Sequence, residues 1–486
     1  MTYYWIMKIN GMPERTLLMP YRVRQIAPES KLCHECSLQM LETVISQQEI
    51  LKMLSVQHAF EQRERRLNMV STITTLLAMS LYAEQSMQEV LKTVMHTPSM
   101  MWPQSQEHEA VVPGKTALAY RRRQLGGKPL QQLFHQIAQP LATAQTPGAF
   151  AWGYRLMAID STVEAVPDTP ANAKVFGRFS TGKGACAFPQ VRGVSLQECG
   201  THAIVDAGFW PCHPNEQLGA HRLLRSVTPQ MLLLLDSGFH GYPLHQAIDA
   251  KGAKILSRLP SGDHPQIIRP LEDGSVLAWL RPRTPSRRKH EPALLVRIIS
   301  YTFTDPAWPG FGQTHRLLTT LLDPVQAPAH DLIQIYHERW EIEIGIDEID
   351  THQRLLSRTL RSKTPMGVIQ ELYGCLLVHY AVRAIMLQAA SQEEGLDVDR
   401  LSFTHALCVL KRYLPDFQRI DPNDRHWLQM RLMRELRCNR VPERTLRSNP
   451  RVVKRRASKF ETKHPEHLSP PQPKKGTTFR DLILLI

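Results

Sequence analysis

The sequence predicts a mixed α/β fold, in which short strands form a sheet and helices pack on it. Three observations lead to this class. Residues 28–97 have a helical apolar pattern, whereas after Trp152 the apolar residues occur in short β-favouring runs. Two of these runs end at or just beyond an aspartate. Residues 332–354 then return to a 3.6-residue apolar period, which predicts an amphipathic helix after the strands.

Composition and charge favour a polyanionic partner. The chain has 486 residues, enough for two to four domains, and its 42% apolar content is ordinary for a protein with a large core. Lys and Arg number 59 against 45 Asp and Glu, so the formal net charge is +14. Such a surplus suits nucleic acid or an acidic membrane surface. The run 69–83 is too short and too rich in Thr and Ser to span a bilayer, and the N-terminus lacks a signal-peptide pattern. We therefore expect a nucleic-acid partner, no membrane and a cytoplasmic location, in the nucleoid if the source is bacterial.

Three motifs match metal-binding or phosphate-binding patterns only in part. The zinc-compatible residues Cys199 and His202 lie three apart in a predicted strand, so their side chains would point to opposite faces. We expect ordinary reduced thiols there, and also at Cys33 and Cys36, which form half of a metal motif without a second pair. Residues 177–183 match the start of a phosphate-binding loop, but Gly184 stands where Ser or Thr is required. A flexible basic loop is the preferred interpretation.

The patterns divide the chain into five predicted segments. They are an irregular arm (1–25), a helical DNA-binding region (26–150), an α/β core (151–390) with a β-rich insertion at about 255–325, a C-terminal helical region (391–440) and a basic, flexible tail (441–486). The tail either becomes ordered on DNA or makes no specific contact.

A basic helical hairpin is predicted in the second segment. Gly126 and Gly127 separate two short helices in a unit similar to a helix-turn-helix. Its exposed side would carry four basic residues, namely Lys115, Arg121, Arg122 and Arg123. The alternative is a hairpin of the same shape that enters no DNA groove.

The helix predicted at 332–354 has two distinct faces. An apolar stripe of isoleucines would pack on the core: Ile335, Ile342, Ile346 and Ile349. The neighbouring face carries Tyr336, Arg339, Glu343, Asp347 and Asp350. A solvated face usually mixes Lys with Glu, whereas this one is acidic after Arg339 and contains no Lys. This pattern favours a bound divalent cation.

Two further carboxylates are predicted near that helix. Asp160 and Asp236 each follow an apolar strand, at the position where α/β folds place ligands. Strand-end aspartates also often cap turns, but an aspartate directly after four leucines is costly to bury without a partner. With Glu343 they form a set of three carboxylates, which is the ligand type that Mg²⁺ prefers.

These residues resemble the signature of a known family. The pattern Tyr336-x2-Arg339-Trp340-x-Ile342-Glu343 is similar to that of the insertion-sequence-four family of DDE transposases. The Asp-Ser-Thr strand at 160, the Asp-x-Gly-Phe strand at 236 and residues 314–383 also resemble this family, and the likeness covers roughly residues 116–459. It implies a ribonuclease-H-like core, a mixed sheet flanked by helices, with a β-rich insertion between the second Asp and the Glu. It also implies an N-terminal helical DNA-binding region.

The resemblance also implies roles for individual residues. Asp160, Asp236 and Glu343 become a catalytic triad that binds two Mg²⁺ (or Mn²⁺) ions. Tyr336 and Arg339 become contacts to the transposon end. The family has Lys where this chain has Asp350, and the missing positive charge would come from Arg354, Arg361 or Lys363.

The implied reaction is cut-and-paste transposition. Cleavage at the terminal inverted repeats frees a 3′-OH, which attacks the opposite strand to form a hairpin or attacks target DNA. A homodimer bridging two double-stranded DNA ends is expected. Two alternatives stay open: a metal-dependent DNA nuclease without strand transfer, and a DNA-binding remnant without catalysis.

Overall fold

The computed structural model describes residues 38–60, 67–94, 113–181, 184–212, 216–306, 311–338, 345–353, 359–442 and 483–485. Several predicted features lie outside the described residues. These are the arm at 1–25, most of the basic tail, Cys33, Cys36, Arg339, Glu343 and Arg354.

The N-terminal part is helical, as predicted. Its helices are α1 Gln47–Val56, α2 Met69–Leu81, α3 Met87–Val94, α4 Lys115–Leu125 and α5 Lys128–Ile137. Ser46 and Asn68 cap α1 and α2 through their side-chain oxygens. Before α3 the Glu89 amide donates to Ser86 Oγ at 3.3 Å, which is one of the two hydrogen bonds of a capping box. Gly126, at φ 74°, makes the turn of the α4–α5 hairpin in a conformation that favours glycine.

One mixed sheet forms the centre of the protein. The strands of the protein, in chain order, are β1 Phe150–Ala151, β2 Tyr154–Ala165, β3 Ser180–Thr181, β4 Gly184–Ala185, β5 Gln190–Glu198, β6 Ile204–Pro211, β7 Met231–Leu235, β8 Lys254–Arg258, β9 Gln266–Pro270, β10 Val276–Leu280, β11 Leu294–Phe303, β12 His315–Thr319 and β13 Ile483–Leu485. Strands β3 and β4 form a small separate hairpin, and the others belong to the mixed sheet. The sheet order is β6-β5-β2-β7-β8-β12-β11-β10-β9, with β1 added to β2 and β13 added to β11.

The strand directions identify a ribonuclease-H-like core. Strands β2, β5 and β6 form an antiparallel meander, and β7 and β8 continue the sheet parallel to β2. All five residues of β7 are buried, which explains its unbroken apolar sequence. The predicted α/β fold is thus confirmed. The β-rich insertion is predicted to begin at about residue 255. Strand β8, which starts at Lys254, belongs to the parallel core, so the antiparallel insertion consists of β9 to β12.

Helices cover the sheet and form a C-terminal layer. They are α6 Pro170–Phe176, α7 Glu216–Leu223, α8 Tyr242–Asp249, α9 Pro285–Arg288, α10 Ala329–Glu338, a π-helix Glu348–Gln353, α11 Pro365–Ala390, α12 Phe403–Arg419 and α13 Arg425–Cys438. By length and composition α11 could cross a membrane, but 89% of its apolar window is buried inside the protein. It packs against α2, α5 and α13 as the central helix of this layer.

Two predictions about elements need correction. The helix predicted at 332–354 is α-helical over Ala329–Glu338 and again at residues 345–347, on either side of the undescribed residues 339–344, but its far end is π-helical from Glu348. A uniform 100° rotation per residue therefore does not hold along this segment. The predicted flexible tail is also wrong for residues 483–485, which form β13 and pair with Tyr301–Phe303 of β11.

Candidate active site

The two predicted aspartates lie side by side at one edge of the parallel pair β2–β7. The prediction that a strand ends at Asp160 is wrong, because β2 continues to Ala165 in its pairing with β5. In the parallel pair β2–β7, Ile159 is paired with Leu235, and Asp160 and Asp236 are the next residue on each strand. Neighbouring strands are about 4.8 Å apart, so the two side chains begin from adjacent positions. The structure therefore brings together the two carboxylates that the sequence separates by 76 residues.

Backbone amides hold both carboxylates. Asp236 Oδ1 accepts hydrogen bonds from the amides of Gly238 at 2.9 Å and Phe239 at 3.2 Å, at the start of a 3₁₀ turn. Asp160 Oδ1 accepts from the Ser161 amide at 2.7 Å. Because these donors are fixed by the backbone, each carboxylate is oriented independently of any bound ligand.

Tyr336 packs in the core behind this edge. Its side chain is 8% exposed, and its hydroxyl donates to the carbonyl of Leu235, the residue before Asp236, at 3.2 Å. Tyr336, which the helical pattern places on the polar face, is thus buried in this structure. The hydrogen bond ties α10 to the end of β7.

Gly345 marks the point where the chain returns to the sheet. A Cβ at Gly345 would overlap the side-chain amide of Gln197 on β5. Gln197 is paired with Ala158, two residues before Asp160. The segment 339–344, which lies outside the described residues, is thus bounded by one contact near Asp236 and another near Asp160.

A buried ionic cluster fixes the π-helix that follows. Glu348 receives two hydrogen bonds from Arg383 of α11 and one from His379, the latter at 3.0 Å. His202 Nδ1 lies 3.6 Å from the same carboxylate, and His202 Nε2 lies 3.4 Å from Asp399. Burial alone would raise the pKa of Glu348, but Arg383 and the histidines hold that pKa well below its ordinary value. Burial lowers the pKa of His379, and the hydrogen bond to Glu348 partly opposes this effect.

Asp350 stands where the resembling family has Lys. It is half-buried, and its Oδ2 accepts a hydrogen bond from Thr162 Oγ1 at 3.3 Å. Thr162 lies two residues after Asp160 on β2 and so shares its face of the sheet. Asp350 therefore contacts the strand that carries Asp160.

The predicted basic face of the α4–α5 hairpin is wrong for two of its arginines. Arg121 is 4% and Arg122 8% exposed. Arg122 Nε donates to Gln370 on α11, and its Nη2 donates to Ser362 and to the Gly367 carbonyl. This arginine joins the N-terminal helices to the core. The remaining members of the predicted basic face, Arg123 and Lys115, are exposed.

Arg361 and Lys363, two of the predicted DNA contacts, differ in their surroundings. Arg361 donates to the carbonyls of Gln85 at 2.8 Å and Met79 at 2.7 Å. Because Met79 lies in the last turn of α2, the guanidinium caps the C-terminal end of that helix. Lys363 is exposed. Of this pair, only Lys363 presents its charge freely to solvent.

One carboxylate at this edge was not identified from the sequence. Glu216, the first residue of α7, accepts from Ser161 Oγ at 2.5 Å and from Arg192 at 3.2 Å. Its other oxygen lies beside Gly238, in the turn after Asp236. Nothing in the local pattern signals this position, because residues 213–223 read as an ordinary short helix. Within the described ranges, no three His, Cys, Asp or Glu side chains are arranged to hold a metal ion.

Comparisons with known proteins agree on one kind of enzyme. The chain matches the family model described as "Transposase DDE domain" over residues 151–380 and that described as "Insertion element 4 transposase N-terminal" over residues 35–135. It is 29% identical over 402 residues to the transposase InsG for insertion sequence element IS4 of Escherichia coli (strain K12), covering 82% of this chain and 88% of that protein.

Two further similarities are more limited. The putative transposase InsZ of Escherichia coli (strain K12) is 28% identical over 148 residues, covering 30% of this chain and 50% of that protein. A solved piggyBac transposase synaptic complex with hairpin DNA aligns with a TM-score of 0.41 and 14% identity, over 84% of this chain and 86% of that one.

Proposed function

Because the chain belongs to the insertion-sequence-four family of DDE transposases, enzymes of DNA cleavage and strand transfer, we propose that Asp160, Asp236 and Glu343 form its catalytic site. The observation that carries this proposal is the adjacency of Asp160, within β2, and Asp236, directly after β7, at the point where the parallel pairing of these strands ends. Ligand sites in open α/β sheets lie at such carboxyl ends.

The described residues on either side of Glu343 support its part in the site. Tyr336 is hydrogen-bonded to the residue before Asp236, and Gly345 lies against Gln197 beside the Asp160 strand. Glu343 precedes Gly345 by two residues, and two residues of chain span at most about 7 Å. We infer that its carboxylate reaches the aspartates.

The donor set suits Mg²⁺ or Mn²⁺. Carboxylate oxygens are the ligands these ions prefer, and the amide-held Asp160 and Asp236 present such oxygens at one edge. Such ions, when bound, would supply activation of the attacking hydroxyl and stabilisation of the leaving 3′ oxygen. The three side chains would hold them, and the backbone amides at Asp236 would keep its carboxylate oriented through the cycle.

The proposed substrates are double-stranded terminal inverted repeats and target DNA. The net charge of +14 supplies phosphate contacts whose strength falls with salt. We place Arg339, Arg123 and Lys363 among the DNA contacts, whereas Tyr336, Arg121, Arg122 and Arg361 are engaged within the protein in this conformation. A homodimer on paired ends, a hairpin intermediate and action in the nucleoid complete the proposal.

The test is cleavage of a terminal-repeat duplex with Mg²⁺ by D160A, D236A and E343Q variants. Each is expected to bind the DNA with normal affinity and to cleave it undetectably. D249N, which changes an exposed aspartate on α8, is the control and should cleave normally. Normal cleavage by any of the three variants would refute its assignment.

A second assay separates transposition from simple nuclease activity. Pre-cut ends with a free 3′-OH are supplied together with target DNA, and joined products are measured. Strand transfer that requires Asp236 supports the transposase assignment, and hairpin ends among the cleavage products support the proposed intermediate. Cleavage without any joining would favour the nuclease alternative.

A further inference from the structure

We propose that Glu216 is a positioning residue that fixes Asp160 and Asp236 relative to each other. This inference rests on the proposed catalytic site. Glu216 touches neither aspartate through a hydrogen bond, but its carboxylate contacts the residue after the first and the turn after the second.

The contacts of Glu216 fall on both catalytic strands. Its Oε2 accepts from Ser161 Oγ at 2.5 Å and from Arg192 Nη1 at 3.2 Å. A hydrogen bond between a hydroxyl and a carboxylate at that distance is among the stronger kinds. Its Oε1 lies 2.5 Å from the position a Cβ would take at Gly238, whose amide donates to Asp236. One carboxylate thus contacts β2 beside Asp160 and the turn that follows β7.

The helix that carries Glu216 is held close to the sheet. A Cβ at Gly219, one turn later on α7, would lie 2.5 Å from the Val194 side chain, so glycine permits this approach. Gln217 also donates to the carbonyls of Gly238 and His240 at 3.1 and 3.0 Å. The first turn of α7 is therefore hydrogen-bonded to the Asp236 turn through Gln217, the residue next to Glu216.

The charge of Glu216 is engaged with protein donors. Because Ser161 and Arg192 share Oε2, this oxygen is already satisfied within the protein. That arrangement favours a role in alignment over direct participation in the reaction. Misplacement of a catalytic group by about 1 Å can cost about 100-fold in rate.

The experiment uses the full-length protein and four variants: E216A, E216Q, G238A and E216A/G238A. E216A is expected to lower the cleavage rate by about 10- to 100-fold with unchanged DNA affinity. It should also raise the Mn²⁺ concentration needed for half-saturation, followed by electron paramagnetic resonance without DNA. E216Q retains an acceptor for Ser161 and should recover part of the rate.

Gly238 provides the internal check. Its added Cβ in G238A would displace the Glu216 carboxylate, so G238A alone should slow cleavage. In the absence of the Glu216 side chain that clash is gone, and the milder contact of the added Cβ with Asp236 Oδ1, at 3.2 Å, is left, so the loss in E216A/G238A should be smaller than the sum of the two single losses. E291A is the matched control, because Glu291 also pairs with an arginine and its side chain is equally exposed, at 27%. It should match the wild type.

Three results would overturn the inference. They are normal cleavage and Mn²⁺ binding in E216A, additive losses in the double variant, or a loss of rate fully explained by lower stability in urea unfolding. If E216A does not fold, E216Q and G238A decide the same question. Failure of the proposed catalytic site is distinguishable, because D236A would then cleave normally.

Discussion

Removal of the Glu348 carboxylate is the sharpest test of how the C-terminal part of the site is held in place. In E348A the Arg383 guanidinium, whose side chain is 2% exposed, loses both of its hydrogen bonds to that carboxylate. Asp399, at 3.9 Å from Arg383, is too distant to replace them. Breaking a buried ion pair by deleting one partner costs about 3–5 kcal/mol. We expect the free energy of unfolding to fall by that amount.

The assay is guanidinium chloride unfolding of the full-length protein near neutral pH. E393A is the control, because Glu393 pairs with Arg440 at the surface, where the side chains are 41% and 40% exposed. Such exposed pairs contribute at most about 1 kcal/mol. Since Glu348 begins the π-helix after Glu343, E348A should also slow DNA cleavage, whereas E393A should not.

A loss within about 1 kcal/mol for E348A would show that the buried cluster contributes no more than a surface pair, and would refute this reasoning. The pH dependence gives a second check. The pKa of Glu348 is held well below 4.5, so its contribution is complete above pH 4.5 and is lost as the pH falls below that value. The difference between wild type and E348A should therefore be constant between pH 6 and 8.

Three further predictions concern other parts of the fold. Burial lowers the pKa of His245 from 6.5 to about 3. The free energy of unfolding should therefore fall by up to about 1.4 kcal/mol for each pH unit below 6.5. Urea titrations of H245Q at the same pH values should show a shallower fall. G345A should lose about 1–3 kcal/mol and slow cleavage, because its Cβ displaces Gln197; unchanged unfolding and cleavage would contradict the close packing. R122A should lower the unfolding midpoint, whereas R123A should leave it unchanged. R123A should instead reduce the number of ions released on DNA binding by about one, measured from the salt dependence of the affinity. The reverse outcome would contradict the burial of Arg122.

Much of the sheet could be predicted from local patterns. Asp160 and Asp236 were found because each directly follows a short apolar run, and period-2 or unbroken apolar runs identify strands without knowledge of their partners. Their adjacency is a property of the β2–β7 register, which the resemblance to a known family implied and the structure shows.

What could not be predicted depends on packing between distant parts of the chain. Arg122 reads as a surface residue within a basic run, but its partners Ser362 and Gln370 are about 240 positions away in sequence. Tyr336 lies within α10, and its burial depends on packing against the end of β7, which a helical period does not reveal. Glu216 gains its contacts only when α7 folds back on β2 and the Asp236 turn.

The central claim is that three carboxylates meet around divalent metal ions, and localised oxidative cleavage tests it most directly. Fe²⁺ is bound in place of Mg²⁺, peroxide and ascorbate generate radicals at the ion, and the backbone cuts are mapped by mass spectrometry. We predict cuts near Asp160, Asp236 and Glu343 that excess Mg²⁺ and the D236A substitution both suppress. Cuts at the two aspartates but none near Glu343, or cuts that Mg²⁺ does not suppress, would contradict the shared site.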